Sequence, residues 1–116
     1  MRLSELRYVR VGEIDFPIKV TNRAMILYEQ LTGNAVIKFT GSENLTKLFY
    51  ATAQAGARAE GKPFPYDYEG FLDVIDDYHM EVVNGFGETI FELITGKKLS
   101  EIEEMMAEAS EEEKKN

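Results

Sequence analysis

The densest set of reactive side chains in the sequence lies between residues 73 and 81: Asp73, Asp76, Asp77, His79 and Glu81. On one continuous helix Asp73 and Asp77 stand four residues apart and Asp76 and His79 three apart, so each pair shares a face. Carboxylates with an imidazole at that spacing suit a divalent cation. The same residues also fit a solvated acidic face at a helix junction, and this plainer reading prevails, so no metal-ligating, catalytic or cofactor-binding residue is assigned. His79 is the chain's one histidine and there is no cysteine, which excludes a Cys–His pair and obliges any Ser–His–acid triad to use His79. Nothing around it has the form of a nucleophile elbow.

Two further motifs have a chemical and a structural interpretation. Gly85-Phe86-Gly87 is glycine-rich like a phosphate loop, but it lacks the P-loop Lys and Ser/Thr and falls inside a helical apolar pattern, where glycines serve packing. Pro63-Phe64-Pro65 has the look of a segment for an aromatic groove, yet two prolines in one loop more commonly make a rigid connector.

The elements that must position these residues are legible from periodicity. Leu6 to Val11 is β-rich, Gly12-Glu13 makes a turn, and Ile14 to Val20 returns, with Phe16, Ile18 and Val20 alternating against Pro17 and Lys19. The expectation is an N-terminal β-hairpin, which needs helices on one face or another subunit's sheet edge. Thr21 or Asn22 caps a helix whose stripe is Ala24, Leu27, Tyr28 and Leu31, and Gly33 stops it. Ala35 to Phe39 reads as either strand or loop. Ser42 then caps a second helix with Leu45, Leu48, Phe49, Thr52, Ala55, Gly56 and Ala59 on one stripe, its second half rich in small residues that admit another helix closely. Glu60 to Tyr66 is a loop, Asp67 caps a third helix, and a further run from Val82 to Ile94, continuous with it or kinked near Asp76-Asp77, ends at Gly96. The fold class expected is α+β, mostly α-helical: a hairpin followed by four to five helices and an acidic C-terminal helix or tail.

With 116 residues the chain fits a single globular domain, placed at 1–99, followed by an acidic amphipathic helix and disordered tail over 100–116. Leu99, Ile102, Met106 and Ala109 form a narrow apolar stripe there, and Ser100 with Glu103 has capping-box spacing. The net charge is −8, and the last seventeen residues hold seven Glu against two Lys. A nucleic-acid backbone requires clustered Lys and Arg, whereas here 13 scattered basic residues face 21 acidic ones, so nucleic acid is excluded as a partner. No apolar run approaches membrane-spanning length and no secretion signal opens the chain, which together with the absence of cysteine points to a cytoplasmic protein and no membrane.

Apolar residues in excess of one core-facing stripe mark a partner surface: Met25 and Ile26 on the first helix and Tyr50 on the second, joined by Ile102, Met105 and Met106 in the tail. Ile26 is the clearest, projecting among Asn22, Arg23, Glu29 and Gln30 on the face expected to be wet.

The order of segments carries a resemblance. Phe16 to Val20, FPIKV, precedes YEQLTG at Tyr28 to Gly33, and LFYATAQAGARAEGKPFPYDYEGFLDVID follows. In that order the chain resembles, over roughly Ile14 to Leu99, the tail assembly chaperones of long-tailed bacteriophages. The resemblance implies a non-enzymatic, homo-oligomeric protein of the bacterial host cytoplasm that binds the tape measure protein stoichiometrically, keeps it soluble and helps recruit tail tube protein subunits, with no cofactor. The alternatives are a small acidic protein–protein adaptor or inhibitor acting through residues 100–116, and a metal-dependent enzyme built on Asp73, Asp76, Asp77 and His79.

Overall fold

A computed structural model describes residues 5–34, 36–37 and 41–96. Strand β1 (Arg7–Val11) pairs antiparallel with β2 (Ile14–Ile18), Val9 opposite Phe16 and Val11 opposite Ile14. Alternation sends Val9, Val11, Phe16 and Ile18 to the core and Tyr8, Arg10 and Asp15 outward, the period-two pattern of a half-buried sheet. Gly12 has φ +61° while Glu13 keeps a negative φ, the pattern of a type II′ turn, for which glycine at the first central position is the natural choice. The strand stops two residues short of its expected end because the Lys19 N–H leaves the hairpin and donates to the Thr52 carbonyl at 3.1 Å.

Helix α1 (Asn22–Thr32) is capped by Thr21, whose Oγ1 accepts from the Ala24 N–H at 3.0 Å, and ends at Gly33. Of its expected stripe, Ala24 and Tyr28 are fully buried, whereas Leu27 and Leu31 are only half-buried. Helix α2 (Ser42–Ala59) starts differently from expectation: Ser42 is already inside the helix, and the cap position is held by Gly41, which has no side chain to bond a free N–H group. Ten of its 18 residues are buried, so it is the central element with neighbours on several sides. Ala59, expected on its stripe, is exposed.

The backbone of β2 lies directly on α2 at Gly56. A Cβ there would fall on the Pro17 carbonyl, so a side chain of any size would push the hairpin off the helix. The small-residue half of α2 is thus used mainly within the chain.

Asp67 caps α3 (Tyr68–Ile75) through a 2.7 Å bond from the Gly70 N–H. The chain then breaks at Asp76-Asp77 and resumes as one helical rod: α4 (His79–Glu81), a π-helical turn (Val82–Phe86) in which the Gly87 N–H reaches back five residues to the Val82 carbonyl, and α5 (Gly87–Thr95), closed by Gly96. Taking the rod as one, four helices follow the hairpin, an α+β and mostly helical fold. An aromatic cluster joins them. Phe49 of α2 stacks on Phe86 at 4.5 Å and meets Phe16 and Phe71 edge-on at 5.3 and 5.1 Å, the offset and T-shaped geometries that aromatic quadrupoles favour. No helix among the described residues is long and apolar enough to cross a membrane.

Candidate partner-binding surface

The acidic cluster is taken apart by the break after α3. Asp73 is on α3, Asp76 and Asp77 are in the turn, and His79 and Glu81 are on the rod, all exposed, so the helix faces that would have paired them do not exist. The break has a local cause: the Tyr78 N–H closes a tight turn onto the Ile75 carbonyl at 2.9 Å, and the Tyr78 ring lies over Gly12. Glu81 accepts the Gly12 N–H at 2.7 Å. Among the described residues no group of three or more His, Cys, Asp or Glu side chains is arranged to hold a metal ion.

Gly85-Phe86-Gly87 is a packing feature. Phe86 is fully buried, a Cβ on Gly85 would touch Val9 at 3.5 Å, and one on Gly87 would touch Leu45 at 3.8 Å. Pro63-Phe64-Pro65 behaves as a connector, since Phe64 folds back onto Tyr50 at 5.6 Å and Tyr66 at 5.3 Å.

The residues expected at a partner surface divide four ways. Ile26 is exposed, at 48% of its full area. Met25 is half-buried and packs on the core. Tyr50 is a correction: it is 8% exposed, ringed by Phe64, Tyr68 and Phe71, with its hydroxyl donating to the Tyr66 carbonyl at 3.3 Å. The proline loop folds over that side of α2, and this burial, with the charge of Asp67 secondary, pushes the phenol above its usual pKa. Ile102, Met105 and Met106, and the expected tail over 100–116, lie outside the described residues, as does most of Ala35 to Phe39. Sequence reasoning passed over Tyr8, Tyr78 and Met80, which are also exposed. Tyr8 carried a usable signal, being the outward partner of inward Val9, whereas Tyr78 and Met80 became visible only once the helix was seen to break.

Ile26 stands at the lip of a groove between α1 and α2 with a volume of about 490 Å³. Its apolar surface comes from Ile26, Leu27, Ala51, Ala55 and Phe64, the two alanines leaving the space that larger residues would fill. Arg23, Arg58 and Lys62 line it as well, with Gln30 and Gln54 and with no carboxylate among the described residues. Lys62 pairs with Glu60 at 3.1 Å, while Arg23 and Arg58 form no ion pair with another described residue. A chain of net charge −8 therefore has, among its described residues, an apolar furrow bordered by cations.

Comparison with protein-family models, with curated proteins and with solved structures yields no match to this chain.

Proposed function

We propose that this chain is a tail assembly chaperone of a long-tailed bacteriophage. It binds the tape measure protein stoichiometrically and keeps that helical, apolar client soluble in the host cytoplasm. It also helps recruit tail tube subunits and works as a homo-oligomer without catalytic turnover. The observation that carries this reading is the α1–α2 groove with Ile26 on its lip, since a furrow with an apolar floor is what helix-in-groove recognition requires. The order of the segments FPIKV, YEQLTG and LFYATAQAGARAEGKPFPYDYEG supports it independently. The test is co-expression of a tape measure protein with this chain. Soluble client that co-purifies with the chain is expected, with less recovered alongside Ile26→Asp, and a client equally insoluble with and without the chain overturns the reading.

The concentration of Glu in residues 100–116 favours a second reading, an adaptor or inhibitor that grips one basic, folded partner through that segment. Removing the segment would then abolish partner binding, whereas a chaperone acting through its body would still associate with itself.

A further inference from the structure

We propose that the α1–α2 groove is the docking site for the chain's own acidic C-terminal segment, residues 99–116, bound within the same molecule. The assignment concerns this chain alone and does not depend on the identity of any client, which would have to displace the segment to enter the same groove.

Three observations converge. The groove pairs an apolar floor with Arg23 and Arg58, two guanidinium groups that no described carboxylate neutralises, in a protein whose overall charge is strongly negative. Cations kept unpaired beside an apolar furrow favour an occupant that is acidic on its flanks and apolar along one line. The C-terminal sequence has that pattern: Leu99, Ile102, Met106 and Ala109 recur at helical spacing, with Glu101, Glu103, Glu104 and Glu108 between them. Reach is the third. Twenty residues follow Gly96, enough for about 66 Å of extended chain, more than the width of a domain of about 100 residues. A tether of that length holds the segment near the groove at an effective concentration of order millimolar, so a contact too weak to form between separate molecules is populated within one.

The occupant would lay its apolar stripe over Leu27, Ala51 and Ala55 and set its carboxylates against Arg23 and Arg58. Arg is suited to this because its planar fork meets a carboxylate with two parallel bonds. Covering Ile26 in this way would also shield the large aliphatic side chain that α1 leaves in water.

Because the chain has no cysteine, Ser110→Cys gives a single attachment point for a nitroxide on the full-length protein. In isotope-labelled, spin-labelled chain at low concentration, the amide signals of Ile26, Gln54 and Arg58 should be broadened. The broadening should be absent when spin-labelled, isotope-free chain is mixed with isotope-labelled chain lacking the nitroxide. Arg23→Glu with Arg58→Glu should abolish it while the remaining spectrum keeps its dispersion. Should that pair unfold the protein, the tail variant Glu101→Lys, Glu104→Lys, Glu108→Lys decides the matter and should show the same loss. Unbroadened groove signals, broadening centred on another surface, or broadening that survives charge reversal overturns the proposal. Equal broadening in the mixed sample overturns it as well, by placing the tail on a second copy.

Discussion

The Gly12 N–H donates to the Glu81 carboxylate at 2.7 Å, tying the hairpin turn to the start of the helical rod across 69 residues of sequence. This one bond gives Glu81 a structural employment in place of a place in a metal site. Glu81→Gln, which keeps an acceptor oxygen, should retain most of the stability, whereas Glu81→Ala should cost about 1 kcal/mol in chemical denaturation. Titration calorimetry with magnesium or calcium should give no binding heat for either the wild-type chain or Glu81→Ala.

Two glycine-to-alanine changes should have opposite outcomes. Gly56→Ala drives a methyl group into the Pro17 carbonyl, and backbone cannot step aside as a flexible side chain can. Overpacking there should cost about 1–3 kcal/mol, outweighing the roughly 1 kcal/mol gained in helix propensity. At Gly85 the added methyl meets Val9 at an ordinary 3.5 Å, so Gly85→Ala should be neutral or mildly stabilising in thermal unfolding.

Neighbouring residues of α1 should separate binding from folding. Ile26→Asp alters an exposed position and should change stability by no more than about 0.5 kcal/mol while weakening the self-association and client binding proposed above, measured by light scattering and pull-down. Tyr28, 1% exposed, is the residue on which the helix depends, and Tyr28→Ala should cost about 3–5 kcal/mol. Leu27 is half-buried at the groove, so a charge there should be milder than at Tyr28.

Alkaline pH should loosen the face of α2 under the proline loop. Burial raises the Tyr50 and Tyr68 phenols, with Asp67 adding to the shift at Tyr50 and Lys47 opposing it at Tyr68. A folded-state pKa above the unfolded value means that the neutral phenol is the form the fold favours. That contribution is complete below the ordinary value of 10.0 and is lost as pH rises through the raised values. The denaturation midpoint should therefore fall above about pH 10, and less so in Tyr50→Phe, which cannot ionise there.

What could be read from sequence was local. Thr21, Asp67, Gly33 and Gly96 announce their helix ends because capping depends on side-chain oxygens and backbone freedom within a few residues. The hairpin was legible for the same reason, since strand alternation and a two-residue turn are both short-range signals. Tyr50 was misplaced because a helix with neighbours on several sides lacks one inward stripe, and nothing near Tyr50 announces that a loop sixteen residues later will cover it. The groove was illegible for a related reason: it exists only where Ala51 and Ala55 of one helix face Leu27 of another, and its cations come from three separate segments. The cation reading of the acidic cluster presupposed a continuous helix, which the turn closed by Tyr78 interrupts, whereas the plainer reading of a solvated acidic face at a helix junction needed no such continuity.

The π-helical turn between Val82 and Phe86 gives the rod one residue more than an ordinary helix of equal length would need. The surplus sits where Asn84 is exposed and the flanking Val82 and Ile90 are held in the core. Deleting one residue of this turn should accordingly return it to ordinary helix and keep both flanks in register. In the first turn of α5, before Ile90, the same deletion would turn every later side chain by about 100° and carry Ile90 and Leu93 away from the core.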